Sequence, residues 1–367
     1  MKIAYIEELF KLVPHGGIAV WSKRLTDYLA TAGHEVRIFS YSDGIDNPLP
    51  AFLNVFPNLR EIFIYPVMGK KAVQKLDQQF DLVQCVSPHT LVASKPNIPA
   101  VISVHYLISR QAVMLGKYLP KQYKVFFNFF SYHLFRHFEA RGFQHADCIT
   151  VSRQAYKDYL IQRMKVPAEK IRIVKYGIDH EFFRPATTRA NDKRMALFVG
   201  RGSLPKGFDT LVKAASKIKG QVLAVASQIP KSLQQQISRL PNFEVRTGLS
   251  HEELRELYQK ATVYVMPSLT EGSPITTLEA MASGLPVVCT AEGSGEYIED
   301  GINGFVVPFK DENQIADRVN YLFEHPELCR EFGTFNRQKV ETELTLPVIA
   351  NQIQGIYREL LQSKSAA

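Results

Sequence analysis

The strongest constraint on this chain is a rhythm in which short β-branched runs alternate with helical patterns. In the first half, the predicted strands are residues 3–6, 36–39, 82–86, 101–104 and 149–151. A helix is predicted over residues 20–31, and Gly33 follows it, as glycine commonly does just past a helix end. Strands that alternate with helices in this way are typical of a parallel sheet built from βα units.

The same rhythm restarts in the second half and predicts a second sheet. Its predicted strands are residues 196–199, 222–226 and 263–266, and its first helix is predicted over residues 209–218. Ser250 and Glu253 form a capping box at the start of another predicted helix. Gly177 and Pro185 punctuate the change from the first series to the second.

We therefore expect an α/β protein with two Rossmann-like domains, each a doubly wound parallel sheet, that face a central cleft. The predicted domains are residues 1–178 and 179–346. A C-terminal helix within residues 347–367 is expected to pack back on the first domain. Ligands of such sheets bind beyond the carboxyl ends of the strands, so the loops that follow strands are the candidate sites.

Several classes of protein are disfavoured by what the sequence lacks. No run approaches the roughly 18 apolar residues of a transmembrane helix, and Glu7 and Glu8 interrupt the apolar core that a secretory signal needs. The four cysteines form no Cys-x-x-Cys pair, which predicts neither a zinc site nor a disulfide framework. Walker A and Gly-x-Gly-x-x-Gly signatures are missing, which disfavours ATPases and dehydrogenases. We expect a cytoplasmic protein.

The charge is divided unevenly between the two predicted domains. Residues 1–178 hold 23 basic and 13 acidic side chains, a net of +10, whereas residues 179–367 hold 21 and 23, a net of −2. The two halves return the overall +8. A basic first domain suits nucleic acid, an anionic membrane surface or an acidic substrate.

One stretch, which reads Glu-Gly-Ser-Pro-Ile-Thr-Thr-Leu-Glu-Ala-Met-Ala from Glu271, joins a predicted strand to a predicted helix. Gly272 permits a sharp turn, Ser273 is a candidate N-cap, and Pro274 suits the first helical position. Free N–H groups at the helix N-terminus suit a phosphate. Glu271 and Glu279 are spaced to bind hydroxyls at two points of one ligand. The alternative is that both glutamates are solvated surface charges, and the apolar neighbours of Glu279 argue against it.

This stretch resembles the glutamate–seven residues–glutamate motif of the retaining glycosyltransferases of family 4, which have the GT-B fold. The resemblance extends over nearly the whole chain. The other matching stretches are residues 16–17, 33–36, 146–152, 176–179, 198–207, 282–288 and 300–304. Their common order and spacing carry the resemblance.

The resemblance implies a role for each matched residue. Arg201 and Lys206 are expected to neutralise the donor diphosphate, Glu279 to bind ribose hydroxyls, and Glu271 to bind a hydroxyl of the transferred sugar. His105 matches the histidine that contacts that sugar, so the implied catalytic set is His105, Glu271, Arg201 and Lys206. The implied donor-binding set adds the residues Gly16, Gly17, Gly272, Ser273, Ile275, Thr276 and Glu279.

The sequence departs from the family pattern at two of these places. Tyr106 follows His105, where members commonly have aspartate, so the role of that aspartate is absent. Ser273 and Pro274 replace the commoner Phe-Gly pair, and Pro274 lacks an N–H group that could face a phosphate. No Asp-x-Asp motif is present, so we expect no metal requirement.

Local sequence alone leaves simpler interpretations open. Gly16 and Gly17 also suit an ordinary tight turn, and a lone histidine such as His105 is more often structural. Arg201 and Lys206 could be exposed loop cations, although both follow a predicted strand.

Residues 110–141 combine nine aromatic side chains with six basic residues and a single acid, Glu139. This pattern suits a membrane interface, but it also suits a core helix because the aromatics point to all sides. A platform for single-stranded nucleic acid is disfavoured because no binding motif accompanies the segment.

We predict a retaining, metal-independent glycosyltransferase that uses a nucleotide-diphosphate sugar, and the resemblance favours uridine as the base. The acceptor is a hydroxyl, and the basic first domain favours an anionic or membrane-borne one. Two alternatives stay open: an epimerase or phosphorylase on the same fold, and a non-catalytic protein that binds glycans or membranes.

Overall fold

The computed structural model describes residues 1–7, 17–40, 76, 79–92, 94–118, 132–186, 194–272 and 274–365. The chain divides into two compact units. The first unit is Met1–Tyr176 together with Leu346–Ala367, and the second is Gly177–Thr345. The division lies two residues before the boundary expected from the sequence.

Among the described residues, the first unit contains six parallel strands in the order β2-β1-β3-β4-β5-β6. The strands are β1 Lys2–Glu7, β2 Glu35–Ser40, β3 Leu82–Cys85, β4 Ala100–Val104, β5 Cys148–Val151 and β6 Ile171–Ile173. The helices of this part of the chain are α1 Gly17–Thr31, α2 Ile108–Gly116, α3 Tyr132–His145 and α4 Gln154–Met164.

Helix α1 shows why these elements form. Trp21, Leu25 and Leu29 recur every four residues and are buried, so one stripe of the helix packs inward. The helix ends before Gly33, whose φ of +86° is a conformation that glycine adopts without steric cost. The chain then turns directly into β2, which pairs with β1 from Lys2↔Glu35 onward.

The described part of the second unit also contains six parallel strands, in the order β12-β11-β10-β7-β8-β9. The strands are β7 Met195–Arg201, β8 Gln221–Ser227, β9 Phe243–Arg246, β10 Val263–Met266, β11 Val287–Thr290 and β12 Gly304–Val307. The helices are α5 Phe208–Ala215, α6 Lys231–Ile237, α7 His251–Lys260, α8 Ile275–Ala282, α9 Ala291–Ser294, α10 Glu312–Glu324 and α11 Pro326–Glu343. The predicted class, two Rossmann-like parallel sheets flanked by helices, is confirmed.

Two local predictions in the second unit have informative outcomes. The capping box of Ser250 and Glu253 is present in both directions at the start of α7. The helix predicted over residues 209–218 is shorter, because α5 ends at Ala215. Beyond it, the N–H groups of Lys217 and Ile218 bond to carbonyls three residues earlier, which tightens the last turn.

The last helix, α12 (Leu346–Ser365), belongs to the first unit and packs on α1. Oε1 of Gln354 in α12 accepts a hydrogen bond from Nε2 of His34 at 3.1 Å. The hydroxyl of Tyr357 donates to Oε1 of Gln84 in β3 at 2.6 Å, and both residues are buried. None of the described helices is both long and apolar enough to cross a membrane.

Candidate active site

The order of the second sheet brings two loops together. The chain runs outward from β7 through β8 to β9 and then returns to lay β10 beside β7, with Tyr264 opposite Leu197. This reversal is the topological switch point, where ligands of open α/β sheets bind beyond the strand ends. Arg201 is the last residue of β7 and is exposed, and Glu271 lies in the loop after β10.

Lys206 and Glu271 meet beyond this switch point. The ammonium Nζ of Lys206 lies 2.6 Å from Oε1 of Glu271, and their side chains are 20% and 8% exposed. The hydroxyl of Ser268 donates to the same carboxylate oxygen at 2.8 Å. The interpretation of Lys206 and Glu271 as freely solvated charges is therefore wrong for both residues.

The two loops are also joined through their backbones. The N–H of Leu269 donates to the carbonyl of Pro205 at 2.8 Å. Gly207 follows Lys206 with a φ of +64°, and a Cβ atom there would lie 1.9 Å from the carbonyl oxygen of Pro267. Only glycine fits this close approach, so Gly207 fixes the position of Lys206 against the loop that carries Glu271.

Glu279 lies on α8 and is only 6% exposed. The buried hydroxyl of Tyr258, from α7, donates to Oε2 of Glu279 at 2.9 Å and also contacts the carbonyl of Thr276 at 3.1 Å. Burial, and then the charge of Glu279, raise the pKa of Tyr258 well above its usual value, so the phenol keeps its proton. Tyr258 thus holds a buried carboxylate in place.

The start of α8 differs from the prediction. Pro274 is the N-cap residue and the helix begins at Ile275, so its predicted place at the first helical position is wrong. The backbone of Pro274 is extended, with ψ of 104°, while its carbonyl already accepts a hydrogen bond from the N–H of Thr277. Ser273 lies outside the described residues.

The remaining donor-site predictions of this segment fall at the start of α8. The hydroxyl of Tyr264 donates to Oγ1 of Thr276 at 2.7 Å, which ties α8 to β10. Ile275 is buried and Gly272 is half-buried.

In the first unit, His105 follows β4 and is 3% exposed. Its Nδ1 shares a hydrogen bond with the hydroxyl of Tyr176. Its Nε2 has no hydrogen-bond partner among the residues that the structure describes. Burial lowers the pKa of His105 to about 3, so the imidazole is neutral.

Two family models match the chain almost end to end. The model "Glycosyltransferase Family 4" matches residues 15–182, and the model "Glycosyl transferases group 1" matches residues 179–339. The chain belongs to the group 1, family 4 glycosyltransferases.

Two curated relatives agree with this assignment. This glycosyltransferase is similar to the alpha-maltose-1-phosphate synthase of Mycolicibacterium smegmatis, with 30% identity over 58% of this chain and 62% of the synthase. The match therefore spans less than two thirds of that relative. It is also similar to the MMP alpha-(1->4)-mannosyltransferase of Mycolicibacterium hassiacum, with 23% identity over 96% of each chain.

Solved structures show the same fold, which is GT-B. The sucrose-phosphate synthase of Thermosynechococcus elongatus superposes with a TM-score of 0.80 at 21% identity, over 99% of this chain and 100% of that one. HepE of Anabaena, solved with UDP-glucose, superposes with a TM-score of 0.72 at 18% identity, over 98% and 100%.

Two further residues of the predicted donor-binding set belong to the first unit. Gly17 is the exposed first residue of α1, so it lies at a helix N-terminus. Gly16 lies outside the described residues. Among the described residues, no group of three or more histidine, cysteine or acidic side chains could hold a metal ion.

Sequence reasoning missed the function of Glu139, which it noted only as the single acid of a basic segment. Glu139 of α3 is buried and accepts the N–H groups of Ile108 and Ser109 at 2.7 and 3.3 Å, together with the Ser109 hydroxyl. It therefore caps α2, which begins three residues after His105. Burial raises the pKa of Glu139 to about 7, against the lowering effect of these hydrogen bonds.

The structure describes only part of the aromatic segment at 110–141. Its described parts belong to α2 and α3, and residues 119–131 lie outside the description. In α3, Phe135 is buried whereas Leu134 is exposed, so the helix has one inward face.

Proposed function

We propose that this glycosyltransferase moves a sugar from a nucleotide-diphosphate sugar to a hydroxyl acceptor, with retention at the anomeric carbon and without a metal ion. The observation that carries the proposal is the contact of Lys206 with Glu271 beyond the switch point at which Arg201 ends β7. A cation at this place suits the diphosphate of a nucleotide sugar.

Charge develops on the diphosphate as its bond to the anomeric carbon breaks. Arg201 and Lys206 would stabilise that charge by electrostatic attraction and hydrogen bonds. Lys206 is held by Glu271, and Gly207 fixes its loop, so this cation is positioned before the donor binds. Little reorganisation is then needed during the reaction.

The two glutamates would bind hydroxyls at different parts of the donor. Glu279, held by Tyr258, would accept hydrogen bonds from the ribose, and Glu271 would accept one from the transferred sugar. Hydrogen bonds to a carboxylate are stronger than those between neutral groups. Both carboxylates are held by donors of the protein, Glu279 by Tyr258 and Glu271 by Ser268 and Lys206, so each is positioned before the nucleotide sugar binds.

Retention would follow front-face attack. The acceptor oxygen forms its bond to the anomeric carbon on the side from which the diphosphate departs, and the acceptor proton leaves with the diphosphate. His105 is neutral, so in this mechanism it contributes a hydrogen bond to the transferred sugar and not a positive charge.

The excess of basic residues before residue 179 favours an anionic or membrane-borne acceptor, at the cytoplasmic face of a membrane. Co-sedimentation with vesicles tests this. We expect binding to vesicles that contain an anionic lipid, weakened by added salt, and little binding to neutral vesicles. Equal binding to both kinds of vesicle would contradict an electrostatic surface.

Thermal melting in the presence of EDTA tests the donor. UDP and UDP-glucose are the first probes, because HepE was solved with both, and GDP-mannose and ADP-glucose widen the test. We expect one nucleotide class to raise the melting temperature and its sugar to be slowly released by hydrolysis. If no nucleotide stabilises the protein, the proposal is wrong. Stabilisation without sugar release would favour a non-catalytic binding protein.

A further inference from the structure

Tyr176 joins His105 to helix α1. It ends the first of the two segments that form the first unit, and its hydroxyl is the partner of Nδ1 of His105. Its ring stacks on the indole of Trp21, with centroids 5.1 Å apart and planes 28° from parallel. All three side chains are buried.

The backbone before Tyr176 is held in place. The N–H of Val174 donates to the carbonyl of Val151 at 2.8 Å, so the segment after β6 continues beside the end of β5. The hydroxyl of Tyr176 is therefore presented to His105 by the sheet on one side and by Trp21 on the other.

A neutral imidazole carries one proton, and its partners decide which nitrogen holds it. A phenol, with a pKa of about 10, is a stronger donor than the N–H of neutral imidazole. The unprotonated ring nitrogen is in turn a better acceptor than a phenolic oxygen. The Tyr176 hydroxyl should therefore donate to Nδ1, and the proton of His105 should stay on Nε2.

The second ring nitrogen of His105, Nε2, has a different environment from Nδ1. It has no hydrogen-bond partner among the described residues, and His105 lines a small cavity together with Trp21, Ser103, Ser152 and Tyr176. A buried N–H without an acceptor is unfavourable, so an acceptor from outside the described protein fits this place.

We propose that Tyr176 is a positioning residue that fixes His105 with its proton on Nε2, so that Nε2 donates a hydrogen bond to a substrate oxygen. The substrate part of this inference rests on the proposed function. Under it, the oxygen is a sugar hydroxyl, and His105 acts as a hydrogen-bond donor and not as a general base.

Nuclear magnetic resonance tests the tautomer without any substrate. In protein labelled with ¹⁵N-histidine, the wild-type correlations of His105, assigned by their loss in His105→Gln, should show the Nε2–H pattern. Tyr176→Phe keeps the ring on Trp21 but removes the donor, so its pattern should move toward a mixture of tautomers. Tyr5→Phe removes another buried hydroxyl of the same unit, which bonds to Ser22, and should leave the His105 pattern unchanged.

Activity supplies the second readout. Tyr176→Phe should lower kcat by about tenfold, because His105 loses its orientation, and should leave the nucleotide-induced melting shift unchanged. A wild-type Nδ1–H pattern, or a Tyr176→Phe protein with unchanged tautomer and unchanged kcat, would overturn the proposal. If no nucleotide binds the wild type, the proposed function fails, whereas the tautomer assignment is still decided by the wild-type spectrum alone.

Discussion

Each of the two units has its own six-stranded parallel sheet among the described residues, but the polar side chains near the two sheets differ in charge and burial. In the second unit, Lys206 and Glu271 face each other as opposite charges, and their side chains are 20% and 8% exposed. In the first unit, His105 and Glu139 are buried. Burial lowers the pKa of His105 and raises the pKa of Glu139, and both shifts favour the neutral form of the side chain. The second sheet therefore carries an ion pair where two loops meet at its switch point, whereas the groups buried in the first unit have pKa values displaced in the direction that favours the neutral form.

The largest expected effect tests the charged side of this contrast. Lys206→Ala should lower kcat/KM for sugar transfer by about 10²–10³-fold, because a positioned cation no longer stabilises the departing diphosphate. Lys219→Ala is the matched control. Lys219 pairs with Glu324 at 3.2 Å and is 68% exposed, and it lies just before the start of β8, away from the carboxyl ends of the strands. Equal activity losses in the two variants would remove the assigned role of Lys206.

The next effect tests the neutral side. The folded-state pKa of Glu139, about 7, lies above the ordinary value of 4.5, so the folded protein holds this proton more tightly than the unfolded chain. The resulting stabilisation is complete below pH 4.5 and is lost as the pH rises through 7. Relative to Glu139→Gln, the wild type should lose about 2–3 kcal/mol of unfolding free energy between pH 4.5 and 8, measured by urea denaturation.

An exposed glutamate of the second unit gives the opposite sign. A hydrogen bond from Lys260 and its charge lower the pKa of Glu256, so the stability that Glu256 contributes is present above its ordinary pKa and is lost as the pH falls. Relative to Glu256→Gln, the wild type should therefore lose unfolding free energy as the pH falls. Relative to Glu139→Gln, it should lose unfolding free energy as the pH rises. Parallel wild-type and Glu139→Gln curves would show that burial does not control Glu139.

Two glycines with positive φ separate backbone strain from close packing. Gly33→Ala in the first unit meets no atom within 4 Å, so it should show only the cost of its φ of +86°. Gly207→Ala should cost about 2 kcal/mol more, because the added Cβ would collide with the carbonyl of Pro267. The melting temperatures of the two variants test this difference. Similar values would mean that the loop around Gly207 can shift to accept the added Cβ atom at little cost in free energy.

The smallest effect concerns donor affinity. Glu279→Gln should weaken nucleotide binding by about tenfold, since an amide replaces a charged acceptor for hydroxyls. Tyr258→Phe should weaken it by about two- to fivefold, because the carboxylate stays but loses its support. Calorimetric titration measures both. An unchanged affinity in Glu279→Gln would assign Glu279 to the core alone.

The sequence predicts well those features that arise from local pattern. The strand predicted at residues 263–266 coincides with β10, because four apolar residues between polar turns have little alternative in an α/β rhythm. The capping box of Ser250 and Glu253 is equally local, since both partners lie within one turn. The family motif is also local, because its two glutamates, Glu271 and Glu279, lie within nine consecutive residues.

Contacts between distant residues could not be predicted in this way. Tyr258 belongs to an apolar helical stripe in the sequence, and only the packing of α7 against α8 makes it the partner of Glu279. Glu139 and Ser109 are 30 residues apart, and Tyr176 and His105 are 71 apart. The prediction misplaces Pro274 by one position, because the proline ring fixes φ but leaves ψ open, and the ψ of 104° here is extended and not helical.

The return of α12 to the first unit has a consequence for how this protein is made. Tyr357 reaches Gln84 only after all of Gly177–Thr345 has been synthesised, so the first unit is completed last although its sheet is translated first. The second unit is continuous in sequence and can be assembled while the ribosome is still adding α12. We therefore expect the second unit to survive as an isolated fragment, and a fragment ending at Tyr176 to expose the apolar side of α1 and to aggregate.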